Sequence, residues 1–175
     1  ISTKNKIRFD PQNPCEDDID IRDIAHALSM MTRANGHFTE FYSVARHSVN
    51  CALEATARGY SKRVALFCLL HDSAESYIGD MTRPLKMHFP LFSEYEKKLQ
   101  KVIFSKYATL DIADDEKEKV KSVDDSLLYH EFLCYHGDKL FDFTPEIHID
   151  VKDNSKNISE TEKEFLCMYE ALKIY

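Results

Sequence analysis

The chain has 175 residues, 43% hydrophobic and 30% charged, with four glycines, five prolines and a formal net charge of −7. That size and balance fit one soluble globular domain spanning 1–175, and the scarcity of β-branched runs favours an all-α helical bundle. The acidic balance and the lack of a basic run exclude a DNA or RNA polymer as the natural partner, and no apolar stretch nears the roughly 20 residues needed to span a membrane.

Residues 1–9 carry no signal-peptide core. The five cysteines, Cys15, Cys51, Cys68, Cys134 and Cys167, are odd in number and form no Cys-x-x-Cys pair. This pattern predicts reduced thiols in a cytoplasmic protein rather than a disulfide framework or zinc ribbon. Cys51 and Cys68 fall on apolar faces and read as small core residues.

Residues 1–18 form an extended, turn-rich entry segment containing Asp10-Pro11-Gln12-Asn13-Pro14. Asp20 is suited to cap a helix to about residue 31, with Ile21, Ile24, Ala25 and Leu28 inward and His26 off that stripe. The stretch 32–38 breaks the helix at Gly36 and carries Arg33 and His37, as solvated loop residues or as residues of a pocket. Ser43 caps a second helix that ends at Gly59, and Ser61 caps a third that continues to about Gly79. His47 lies within the apolar stripe of the second, His71 within that of the third, and Glu75 extends the His71 face by one turn.

A loop over about 79–90 carries Asp80, Arg83 and Lys86, either as a solvated connection or as a mouth that grips an anion. Ser93-Glu94-Tyr95-Glu96 reads as a capping box opening a helix to about residue 107, with Tyr95, Leu99, Val102 and Ile103 inward. A long helix over about 114–135 follows. Asp124 shares the apolar side of Val120 and Leu127, and Glu131 lies one turn beyond Leu127 as a possible partner for the site. Residues 146–151 alternate and suggest a short extended piece. Ser159-Glu160-Thr161-Glu162 reads as a capping box for a final helix, 159–175, packing on the core through Phe165, Tyr169 and Leu172.

Three helices therefore present His47, His71, Asp72 and Asp124 on faces that should be buried. Buried polar groups need partners, and one cation satisfies several. Two imidazoles and two carboxylates make a mixed nitrogen and oxygen set for a first-row divalent ion. Glu75 stands where an acid or base could serve water beside that ion. The plainer alternative is a structural helical protein with hydrogen-bonded core histidines.

The ordered pattern resembles the HD superfamily of metal-dependent phosphohydrolases, in the branch of bacterial 5′-deoxynucleotidases and related small phage and bacterial HD hydrolases. The likeness runs through Phe9-Asp10-Pro11, Asp23-Ile24-Ala25-His26-Ala27-Leu28, Phe41-Tyr42-Ser43-Val44-Ala45-Arg46-His47-Ser48-Val49 and Leu70-His71-Asp72-Ser73-Ala74-Glu75. It continues through Gly79-Asp80, Pro84-Leu85-Lys86 and Val120-Lys121-Ser122-Val123-Asp124.

The resemblance implies one divalent ion (Mn²⁺, Co²⁺, Fe²⁺, Ni²⁺ or Mg²⁺) on His47, His71, Asp72 and Asp124. It implies Glu75 as the catalytic proton carrier, with Asp72 also in the reacting centre. It further implies Arg33 on phosphate and Asp80 on the sugar, with Lys86 and Arg83 assisting by position. The expected activity is 5′-nucleotidase-type hydrolysis of a small (deoxy)nucleotide by a homo-oligomer, a dimer or larger. A deoxynucleoside triphosphate triphosphohydrolase or pyrophosphohydrolase would use the same core, and a non-catalytic nucleotide-binding module would keep it without needing Glu75.

Two departures bear on specificity. Ala34 replaces the aromatic residue that often follows the loop arginine, and Arg46 stands where relatives often carry glutamate or glutamine, which predicts extra positive charge near the site. Glu75 is followed by Ser76, unlike the Glu-Asp pair of the alarmone-hydrolase branch.

Overall fold

The computed structural model describes residues 1–108, 112–151 and 157–174, apart from the Arg83 side chain. The caps read from sequence begin the first three helices. In α1 (Ile21–Met30) the Asp20 carboxylate accepts from the Arg22 N–H. In α2 (Val44–Ala57) and α3 (Lys62–Leu70) the Ser43 and Ser61 hydroxyls accept from Arg46 N–H and Val64 N–H. Gly59, at φ +71, turns the chain between α2 and α3.

Every residue of α3 from Val64 to Leu70 is buried. A helix apolar on all sides belongs at the centre of a bundle, and α3 packs there against α2, α6 (Pro90–Ala108), α7 (Asp114–Tyr135) and α8 (Ile158–Leu172). α2, buried along most of its length, contacts α1, α3, α7 and α8. The fold is an all-helical bundle, and the described residues outside helices form only isolated bridges, Ser2 with Arg8 and Thr32 with Ser43. Among the described residues no helix is long and apolar enough to cross a membrane.

Four local expectations need correction. The helix expected to run on from Ser61 stops at Leu70, and a separate turn, α4 (Glu75–Ile78), follows. Between them the N–H groups of Ser73, Glu75 and Ser76 donate to the carbonyls of Leu70, Asp72 and Ser73, three residues back. These bonds close tighter turns than those of an α-helix. Second, the loop over 79–90 contains a short helix, α5 (Arg83–Lys86), with Pro84 in its first turn, where the missing N–H is no loss.

Third, α6 begins at Pro90, so Ser93 lies inside the helix and caps nothing. Fourth, α8 is capped by Asn157 rather than Ser159: the Asn157 side chain accepts from Glu160 N–H, and Glu160 reaches back to the Asn157 N–H. Residues 146–151 form no strand. The Glu146 carbonyl accepts from Arg58, and the His148 N–H donates to the fully buried Glu54.

Candidate metal centre

The end of α3, the first turn of α2 and the middle of α7 meet in the interior and bring His71 and Asp72, His47 and Asp124 together. The Nε2 atoms of His47 and His71 lie 3.3 Å apart. Asp124 Oδ1 is 3.2 Å from His47 Nε2 and 3.7 Å from His71 Nε2. Asp72 Oδ2 is 3.3 Å from His71 Nε2 and 3.8 Å from His47 Nε2.

The outer nitrogens of both rings are already committed. His47 Nδ1 is 2.6 Å from Glu131 Oε1, and His71 Nδ1 is 2.7 Å from the Cys68 carbonyl oxygen. A carbonyl or carboxylate oxygen only accepts, so each Nδ1 carries the proton and each neutral ring turns an Nε2 lone pair inward. Two lone pairs and two carboxylates facing one point require positive charge between them. A metal ion supplies it, and so do protons. Burial opposes charging either ring, and Arg33 opposes it at His47, yet the carboxylates raise both imidazoles above their ordinary value, His71 well above it. Burial likewise opposes ionising Asp72 and Asp124. The histidines nevertheless hold Asp72 down to about 2 and Asp124 well below the usual carboxylate range.

His47, Cys51 and His71 offer ligand atoms within 4.8 Å of one another, a group able to hold a metal ion. Cys51 Sγ lies 3.4 Å from His47 Nε2. Burial, and then the charge of Asp124, pushes its thiol well above the ordinary value. A metal ion lowers the pKa of a thiol it binds, so Cys51 and the two aspartates are all within reach as partners for the histidine pair.

Around this centre runs a buried network. Glu131, with no exposed surface, accepts from His47, from Tyr42 Oη–H at 2.9 Å and from Arg33 Nη2 at 3.4 Å. Tyr42 in turn accepts from Asn50 Nδ2 at 2.9 Å. Arg33 also donates to Asp72 Oδ2 at 3.4 Å. It opens a turn in which Ala34 and Asn35 adopt left-handed backbone angles, φ +51 and +49. Such strain is held only where the surroundings enforce it. Gln100 of α6 braces the break after α3: its Oε1 accepts from Ala74 N–H at 3.0 Å and its Nε2 donates to the Leu70 carbonyl at 2.7 Å.

Glu75 comes within the same neighbourhood despite the broken helix. Its Oε2 is buried without a hydrogen-bond partner. Burial, then the charges of Asp72 and Asp80, raises its carboxyl to about 10. Arg33, Asp72, Glu75, Asp80, Lys86 and Asp124 line a cavity of about 620 Å³. Leu128, Phe132, Leu140 and Phe141 supply its apolar wall. Lys86 Nζ is bonded to Glu96 Oε1 at 2.6 Å. The Arg83 side chain lies outside the described residues.

Arg46 contributes no charge to the centre, contrary to expectation. Although it precedes His47, it points to α8 and pairs there with Glu164 and Thr161. Tyr42, Asn50 and Gln100 belong to the site's support and carry no sequence signal, because each acts on a residue of a different element.

No family model matches the chain. It is similar to YfdR, an uncharacterised protein of Escherichia coli (strain K12), with 40% identity over 92 residues, 53% of this chain and 49% of the relative. It is also similar to the uncharacterised protein RCAP_rcc00048 of Rhodobacter capsulatus, with 44% identity over 84 residues, 45% of this chain and 42% of the relative. The chain thus spans about half the length of the curated relatives it matches.

Proposed function

We propose that this chain is an HD-type metal-dependent phosphohydrolase that cleaves the phosphate ester of a small (deoxy)nucleotide in the manner of a 5′-nucleotidase. One observation carries the reading: two imidazole Nε2 atoms 3.3 Å apart, both Nδ1 donors committed elsewhere, flanked by Asp72 and Asp124. His47, His71, Asp72 and Asp124 would hold the ion, and the two-nitrogen, two-oxygen set suits Mn²⁺, Co²⁺, Fe²⁺, Ni²⁺ or, less tightly, Mg²⁺. When bound, such an ion polarises a phosphoryl oxygen and lowers the pKa of water.

The chain's own residues supply the rest. Arg33, fixed by Asp72 and Glu131, gives the cavity wall a positive charge in one orientation for the phosphate. Glu75, with its unpartnered Oε2, carries the proton between water and the leaving oxygen. Asp80, Phe132 and Phe141 line the same cavity; on this reading Asp80 accepts from a sugar hydroxyl and the two rings face the base.

The test is a panel of nucleotides against a panel of divalent ions, with products identified. His71→Ala or Asp72→Ala should abolish metal-dependent phosphate release, and Glu75→Gln should lower kcat by about 10²–10⁴ while the ion still binds. Full activity in either ligand variant refutes the reading.

A further inference from the structure

The centre is bordered by two cavities. Asp124 lines the one that holds Arg33 and Glu75, and together with His71 it also lines a second, of about 750 Å³, on the side of α6 and α7. Four lysines line this second cavity: Lys97 and Lys101 from α6, Lys117 and Lys121 from α7. Each pair is spaced four residues apart, so each stacks on one helix face. Asp124 is the single acidic residue among the described residues that line it. In a chain of net charge −7 this is a local concentration of the opposite sign.

Like charges stacked on one helix face cost a few tenths of a kcal/mol, and here two such pairs share one cavity. Their partial neutralisation is weak. Lys117 pairs with Asp114 at 2.8 Å, Asp114 being 95% exposed, and Lys121 pairs with Asp125. The Lys117–Asp114 pair, exposed on both sides, is of the kind that yields readily to a stronger ligand. No ion pair of Lys97 or Lys101 occurs among the described residues. In the first cavity, by contrast, both described cations are engaged, Arg33 by Asp72 and Glu131 and Lys86 by Glu96. Three further carboxyl-bearing residues line that cavity, Glu75, Asp80 and Asp124. On the α6–α7 side, a multiply charged anion therefore finds two cations, Lys97 and Lys101, that no ion pair among the described residues engages.

We infer that the α6–α7 cavity is a binding site for a phosphate-class anion, orthophosphate or a short phosphate chain, contiguous with the centre through His71 and Asp124. Phe104 and Val120 give it an apolar lining, and the four lysines stand at its solvent-exposed rim. The inference stands on the lysines and the cavity, and it holds whether or not the centre hydrolyses anything.

The experiment is calorimetric titration of the full chain with orthophosphate, tripolyphosphate, a nucleoside monophosphate and a nucleoside triphosphate. Lys97→Glu/Lys101→Glu should weaken the binding of tripolyphosphate or of the nucleoside triphosphate at least about tenfold, the equivalent of one charged hydrogen bond. Loss of free tripolyphosphate binding identifies an independent anion. Loss confined to the nucleoside triphosphate identifies the distal phosphates of a nucleotide. The control Lys62→Glu/Lys163→Glu makes the same change of charge at exposed positions outside the cavity and should leave affinity unchanged. Asp72→Ala, which removes a candidate ion ligand without touching this cavity, should retain tripolyphosphate binding. Equal affinity in wild type and the Lys97/Lys101 variant, equal loss in the control, or loss in Asp72→Ala overturns the inference. An inactive enzyme does not.

Discussion

Glu131→Gln preserves the size of the side chain that orients His47 and removes its charge. Burial opposes ionisation of Glu131, but His47 and Arg33 keep its carboxyl below the ordinary value, so it is an anion in the folded protein. Three donors converge on it: His47 Nδ1–H, Tyr42 Oη–H and Arg33 Nη2–H. A glutamine has one carbonyl oxygen, and its amide nitrogen must face either the His47 and Tyr42 side or Arg33, donor against donor. Breaking one partner out of a buried charged pair costs about 3–5 kcal/mol. At about 2–4 °C per kcal/mol for a chain of this length, Tm should fall on the order of 10 °C.

The second consequence is specific to the centre. A carboxylate behind a ligating histidine fixes its tautomer and raises its basicity, and losing it typically lowers metal affinity about 10–100-fold. That corresponds to about 1.4–2.7 kcal/mol. The assay is calorimetric titration of the folded variant with Mn²⁺, with circular dichroism confirming helicity. Tyr42→Phe is the comparison: it leaves the carboxylate in place, removes a hydrogen bond to it worth about 1.5–3 kcal/mol together with the acceptor of Asn50, and should leave ion affinity within a few-fold. Unchanged ion affinity in folded Glu131→Gln would refute the claim that His47 ligates an ion with Glu131 behind it.

Two further predictions concern the scaffold. Gln100→Ala leaves the Ala74 N–H unpaired and the Leu70 carbonyl with only the Ser73 N–H, and should cost about 2 kcal/mol in urea unfolding, two hydrogen bonds at about 1 kcal/mol each. It should also weaken ion binding by loosening the turn that carries His71 and Asp72; wild-type values for both would show that the turn holds itself. Glu54 is buried, and burial opposes its ionisation, yet hydrogen bonds from His148 and Arg58 hold its carboxyl below the ordinary value of 4.5. Its contribution to stability is therefore present above that value and is lost as pH falls through the depressed folded one. Wild type should lose more stability than Glu54→Gln between about pH 5 and pH 3, and parallel curves would remove Glu54 from the account.

Part of what depends on contacts within a turn or two was determined by the sequence alone, the caps at Ser93 and Ser159 and the length of the helix from Ser61 being the exceptions. Asp20, Ser43 and Ser61 cap the helices that their spacing predicts, and α7 spans Asp114–Tyr135 as its acidic first turn and apolar side suggest. The polar residues of the centre were legible for the same reason: His47, His71 and Asp124 interrupt apolar stripes, and a buried imidazole or carboxylate demands a partner.

Other features were decided by tertiary structure. The break between Leu70 and Glu75 is braced by Gln100, from another helix, which accepts from the Ala74 N–H and adds a second donor to the Leu70 carbonyl. Arg46 turns away from the centre because Glu164 waits on α8, and Arg33 is held among carboxylates that belong to other elements. Neither cavity could be read from the chain, since each exists only between helices already packed. Propensity and capping act over a few residues, whereas the partner of a buried charge, and the space left beside it, are set by whichever element the bundle brings there.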